Sequence, residues 1–387
     1  HYFLYTANSD SRPDFYNAGL ELKVSPIEYG KNRKKEEIVK AGERLVLTMI
    51  PNKDPIPETF DEAHLASKTL DILLISYLRS KDIEQSQDYP ITLINRFQPS
   101  EEDLKIIRDD YRKIASMIRA GRAHELSEGM TNYLGACTKG ATAAKSLQKQ
   151  HYPFISEDGK REYVPAKRRA FCLKQSFMTS LVQKYHAQQE EQDRLITSTS
   201  QLGDSTFEEY VINLLKPFTN KTLQDLHTSY GQGLNRNSKN YAAALIARML
   251  GAQSGTLEEF EKANIKVRTV TLNDKNYPDQ HTKLLEVDFL ALNAEVSWED
   301  AEWNSFLQDT RFLFPIFKGT SDSKKLLGCF FWSMPVEDIG APDTSSQQDT
   351  VYSYWKDTRA KLAQGVEFTR KGNKVYINFL NPEVHTI

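Results

Sequence analysis

Asp14, Glu21 and Lys23 are the residues of this sequence best suited by type and spacing to do chemistry together. Two carboxylates can hold Mg²⁺ together with a phosphate oxygen, and the metal lowers the pKa of its bound water. A neighbouring ammonium orients or helps deprotonate that water and offsets charge building on phosphorus. The set therefore suits hydrolysis of a phosphodiester. The spacing alone is a weak signal, because Asp-x6-Glu-x-Lys arises by chance in roughly one chain in ten of this length. Glu and Lys alternating on a strand are also commonly its solvated face. The elements around the triplet must carry the rest of the argument.

Gly19 to Val24 alternates apolar and polar residues with period two, which predicts a strand. Leu20, Leu22 and Val24 are expected on a buried face, with Glu21 and Lys23 on the other, toward solvent or a cleft. Pro13-Asp14 lies where a turn returns the aspartate beside Glu21. Arg44 to Ile50 reads as a second strand ended by Pro51. Ser100 opens an amphipathic helix with Leu104, Ile107, Tyr111, Ile114 and Ile118 at helical spacing; Asp103 completes a capping-type pair and Gly121 closes it. A short helix is predicted from Ser176 to Tyr185. The polar stretch Gln188 to Thr206 reads as an interdomain linker. Beyond it, helices are expected at Phe207 to Leu215 (capped by Thr206 and Glu209) and at Tyr241 to Leu250. Strands are expected at Ile265 to Leu272, Arg311 to Phe317 and Leu326 to Trp332. Helices and strands in both halves predict a mixed α/β (α+β) class with two domains, 1–195 and 196–387.

Composition sets limits on the reading. With 387 residues and 39% hydrophobic content the chain supports two ordinary cores. No stretch is apolar enough to cross a bilayer, and His1 to Asn8 lack the order of a secretory signal. Cys137, Cys172 and Cys329 stand in no metal-ligand spacing and read as reduced, packed thiols of a cytoplasmic protein. A net charge of −2 gives no global footprint for nucleic acid, so DNA binding must rest on local basic patches such as Lys167, Arg168 and Arg169. Most such groups contact phosphate and not base edges.

A short repeat links the halves. Ala18 to Val24 aligns with Ala263 to Thr269, which sets Glu259 against Asp14, Lys266 against Glu21 and Arg268 against Lys23. A lysine where a carboxylate would ligate places a cation on the metal position, so the second copy is expected to attract phosphate without binding metal.

With these residues placed, the chain resembles the MutH-type branch of the PD-(D/E)xK nucleases, and within it the type II restriction endonucleases that recognise GATC. The resemblance covers nearly the whole chain. It is most specific over Pro13 to Pro26, Ala123 to Thr142 and Ala166 to Thr179. It implies two tandem restriction-endonuclease-fold domains, each a central mixed β-sheet flanked by helices, the first cutting and the second binding DNA. Asp14, Glu21 and the Leu22 carbonyl would ligate Mg²⁺, and Lys23 would be the catalytic lysine. An acidic residue that the family carries on a preceding helix falls ahead of His1, so an incomplete N-terminal arm is expected.

Tyr133 to Lys145 matches the family's base-reading segment, with Lys139 its most direct counterpart; Cys137-Thr138 replaces an Arg-Pro pair. Cys172 replaces a tyrosine that senses adenine methylation, which fits restriction better than mismatch repair. DNA contacts are accordingly expected from His124, Tyr133, Thr138, Lys139, Lys145, Lys167, Arg168, Arg169 and Lys174, and in the second half from Lys266 and Arg268. Lys221 to Leu226 falls in a stretch, Leu215 to Gly251, that resembles the family's N-terminal arm. The implied partners are double-stranded GATC DNA, a DNA-dependent dimer or loop, and a cognate methyltransferase in the same cell without direct contact. The alternatives are a MutH-like nickase and a catalytically silent DNA-binding module.

Overall fold

The computed structural model describes residues 12–31, 36–80, 82–139, 146–186, 193–238, 241–253, 256–342 and 349–365, with the backbone of 368–371 and 374–377. The first half builds two sheets. In one, β1 (Glu21–Lys31) lies between β2 (Glu37–Ala41) and β4 (Ile72–Leu78), and β5 (Ile91–Phe97) closes the far edge. β1 and β4 are parallel, with Glu21 opposite Ile72 and Ile27 opposite Leu78. In the other, β3 (Leu45–Met49), β7 (Arg169–Leu173) and β6 (Leu134–Thr138) run antiparallel.

The long helix α1 (Glu101–Arg119) buries its apolar stripe of Leu104, Ile107, Tyr111, Ile114 and Ile118. Ser100 caps it by accepting from the Asp103 N–H. The Asp103 carboxylate does not complete a capping box; it binds Lys262 at 2.8 and 2.9 Å. Gly121 ends the turn at φ +72°, and a Cβ there would lie 2.2 Å from the Phe154 nitrogen. Left-handed backbone and a clash with main chain act together. Gly121→Ala is expected to lower the unfolding free energy by about 2 kcal/mol or more, read from urea denaturation.

Helix α2 (Gln175–Tyr185) follows β7. Next, the stretch expected to be a linker is folded over residues 193–206. Leu195 and Ile196 are buried and donate their N–H groups to Glu259, and Leu202 sits in the core on a short capped helix. Polar composition there reflects a one-sided helix and turns, not an unstructured tether. Helix α3 (Phe207–Leu215) carries the expected reciprocal Thr206–Glu209 cap, and α4 (Tyr241–Met249) ends before Gly251.

In the second half, the strand expected over Ile265 to Leu272 is two short ones, β8 (Ile265–Val267) and β9 (Val270–Leu272). Both pair in parallel with β10 (Arg311–Lys318), whose other edge holds antiparallel β11 (Lys325–Trp332). The break falls where Arg268 donates its N–H to Leu313 and its guanidinium to the carbonyls of Val267, Lys283 and Leu284.

One apolar cluster takes side chains from both halves, including Leu45, Tyr111 and Phe177 with Phe207, Leu245, Phe260 and Leu313. A buried ionic group reinforces the junction: Lys262, on the short helix α5 (Glu258–Lys262), is 2.8 Å from both Asp103 and Glu258. Burial disfavours its charge, but the two flanking acids outweigh that, and its pKa is raised. A smaller cluster gathers Trp298, Leu307, Met334 and Trp355. No described helix is long and apolar enough to cross a membrane.

Candidate active site

The turn that precedes β1 does what the sequence requires of it. Phe15 and Leu20 bridge across it, Gly19 takes φ +63°, and Asp14 is folded back so that its Oδ2 accepts the Leu22 N–H at 2.9 Å. Glu21 and Lys23, two residues apart on one face of β1, meet directly, with Lys23 Nζ 2.9 Å from Glu21 Oε1. Lys23 also donates to the Leu47 carbonyl of β3 at 3.3 Å. The triplet thus lies where the two sheets of the first half come together.

The expected faces are reversed. Glu21 is buried at 3% exposure while Val24 is 55% exposed. A carboxylate can be held inside when cations neutralise it and satisfy its oxygens. Here Lys23 takes one oxygen, and Lys68, at 2.8 Å, takes the other. Lys68 also donates to the Arg12 carbonyl at 2.9 Å, tying the Asp14 turn to the site. Nothing in the sequence around Ser67-Lys68-Thr69 marks this lysine. It arrives through the short helix His64–Ser67, placed just before β4, the parallel partner of β1.

Residues expected on DNA are distributed unevenly. Thr138 and Arg168 are exposed and Lys139 and Lys167 half-buried; Lys139 follows β6, and Lys167 pairs with Leu147 just ahead of β7. His124 is half-buried, with its ring edge-on to Phe154 and Nε2 3.6 Å from Glu125. Tyr133, Arg169 and Lys174 are interior groups in this conformation. Tyr133 is fully buried beneath Lys262. Arg169 donates to the Ala136 carbonyl and Thr138 hydroxyl, and burial lowers its pKa to about 10. Lys174 donates to the Asp309 carbonyl at 3.1 Å, and burial lowers its pKa also. Basic residues in a run look like surface from sequence, but backbone carbonyls hold these two inside. Lys145 lies outside the described residues.

The second half does not reproduce the cluster. Glu259, aligned with Asp14, spends its carboxylate on Leu195 and Ile196. Arg268 is engaged by carbonyls. Both Arg268 and Lys283 line a cavity of about 720 Å³ with His281 and Lys324.

An acid-acid-lysine set at the start of a strand, inside a mixed α/β fold, is the arrangement expected from the resemblance to the PD-(D/E)xK nucleases. Comparisons give the family. The family model described as "DNA mismatch repair enzyme MutH" matches residues 3–110, which include Asp14, Glu21, Lys23 and Lys68. The chain is 33% identical to the type II restriction enzyme Sau3AI of Staphylococcus aureus over 398 residues, covering 97% of this chain and 76% of the relative. It is 27% identical to the DNA mismatch repair protein MutH of Shewanella woodyi over 181 residues, covering 46% of this chain and 70% of that one. The chain belongs to the MutH-like restriction endonucleases and is a site-specific DNA endonuclease.

Proposed function

We propose that the protein is a Mg²⁺-dependent type II restriction endonuclease that recognises GATC in double-stranded DNA and hydrolyses one phosphodiester in each strand, leaving 5′-phosphate and 3′-hydroxyl ends. The observation that carries this is the meeting of Glu21 with Lys23 beside the returned Asp14. The donor set fits the ion: Asp14, Glu21 and the Leu22 carbonyl offer hard oxygens, which Mg²⁺ prefers. Among the described residues no group of three or more His, Cys, Asp or Glu is placed to hold a metal ion; in this reading the Leu22 carbonyl is the further protein oxygen. An ion held by these oxygens would supply Lewis-acid chemistry toward the phosphate and its attacking water. Lys23, anchored on Glu21 and the Leu47 carbonyl, is placed to orient that water and to offset charge developing on phosphorus. Lys68 pairs with the buried Glu21 carboxylate and, through the Arg12 carbonyl, holds the turn of Asp14 against β1.

In the same reading residues 1–195 cut and residues 196–387 hold a further DNA segment through Lys266, Arg268 and the cations lining the 720 Å³ cavity. The enzyme works in the cytoplasm, as a DNA-dependent dimer or loop, beside a methyltransferase of matching specificity. Plasmids with unmethylated, hemimethylated and methylated GATC sites, incubated with Mg²⁺ and with EDTA, test it. Linear fragments that vanish with EDTA are expected. Nicked circles alone would establish the repair-type nickase, and mobility shifts without cutting the silent module.

A further inference from the structure

The sheet face that carries Cys137 is built from small side chains. Cys137, Ala170 and Cys172 are buried together with Val46 against them. Neither thiol offers the paired donors that read a guanine edge. Arg44, just before β3 and two residues from Val46, supplies a guanidinium on this same face by strand alternation.

That guanidinium is held in a particular way. It pairs with Glu128, whose side chain is 5% exposed while that of Arg44 is 45% exposed. The second oxygen of Glu128 lies 3.8 Å from the Cys172 thiol. A fixed, buried acid therefore aims a half-exposed fork across the two cysteines. The electrostatics agree with the placement. The Cys137 thiol is held low by its hydrogen bond with Cys172 and, against burial, by the charges of Arg44 and Lys139. Arg44 lines a cavity of about 480 Å³ with Glu128, Thr138, Lys167 and Arg169. The other cations there are poorer readers. Lys167 lacks a planar fork, and Arg169 is buried, with Nη1 turned to Ala136 and Thr138.

We propose that Arg44 is a base-reading residue of the DNA site, donating both arms of its guanidinium to O6 and N7 of a guanine, with Glu128 as its positioning residue. The proposal rests on the nuclease reading above and adds the source of its sequence preference. Arginine bidentate to guanine is the commonest specific contact in the major groove, and a supporting carboxylate fixes the plane of the fork.

The test is a cleavage-preference profile over a pool of duplexes carrying every single-base change in GATC. Wild type, Arg44→Lys, Arg44→Ala and Glu128→Gln are compared, with non-specific DNA affinity measured alongside. Arg44→Lys keeps the charge facing Glu128 and so preserves the fold. It is expected to lower discrimination at the G·C pair by roughly ten- to hundredfold, while preference at the A·T pairs is retained. Glu128→Gln is expected to weaken the same preference less. A phosphate-contacting or merely structural Arg44 would instead slow all duplexes alike and leave the profile unchanged, which overturns the assignment. A selective wild type matched by an equally selective Arg44→Lys overturns it alone. A wild type with no preference at all overturns the nuclease reading and the assignment together.

Discussion

Replacing Glu21 by glutamine is expected to lower the rate of DNA cleavage by about a thousandfold or more while DNA binding is retained. Glutamine keeps the shape of the side chain and one acceptor, so Lys23 and Lys68 each keep a polar neighbour. What disappears is the negative charge that would hold a divalent ion and keep two ammonium groups balanced. Affinity for DNA is expected to hold or rise, because a carboxylate facing a phosphate repels it and an amide does not. Lys68→Ala is expected to cut cleavage by a smaller factor, on the order of a hundredfold, since Lys23 still faces Glu21 and the strand is unchanged. Single-turnover cleavage beside mobility shifts in Ca²⁺ separates the two quantities. Cleavage by Glu21→Gln within tenfold of wild type would remove Glu21 from the chemistry.

The second large effect concerns stability. Asp110 on α1 is 2% exposed and accepts from the N–H groups of Asn132, Tyr133 and Leu134 at 2.8, 2.6 and 3.0 Å, and from the Asn132 amide at 3.2 Å. It thereby fixes the entry into β6. Asp110→Ala leaves three buried backbone donors without a partner, at about 1–3 kcal/mol each. A loss of about 3–5 kcal/mol at pH 7 is expected, measured from urea midpoints. Burial pushes the Asp110 carboxyl up to about 6, against the lowering effect of those same backbone donors and of Lys174. The folded state thus binds the proton more tightly than the unfolded chain does, and stability from this group falls as pH rises from about 4 to about 6. The stability difference between wild type and Asp110→Asn should decline across that window. A flat or rising difference would contradict the assignment.

Much of this was legible from residue order. Period-two alternation located β1, apolar spacing located α1, and Thr206 with Glu209 located a helix start to the residue. Alternation also put Glu21 and Lys23 on one face. The apolar face it predicts as covered is not the one the fold covers, because that depends on the cations and carbonyls other segments bring. Lys68 shows the same limit: its role comes from a neighbouring strand rather than from any local pattern. Burial of basic residues was not legible either, since Arg169 and Lys174 lie inside and donate to carbonyls no sequence rule locates. The polar run before Thr206 looked like a tether because its few apolar residues, Leu195, Ile196 and Leu202, are too sparse to register as an element.

The apolar cluster shared by Leu45, Tyr111, Phe207 and Leu313 has a consequence for how the sequence tolerates change. The main interior belongs to both halves, although the second half keeps a smaller cluster of its own around Trp298 and Trp355. A bulky residue lost near Leu313 opens a void in a cluster that Leu45 and Tyr111 share, so repacking is felt in both halves of the chain. Side-chain volume at this junction is therefore set jointly by residues far apart in the sequence.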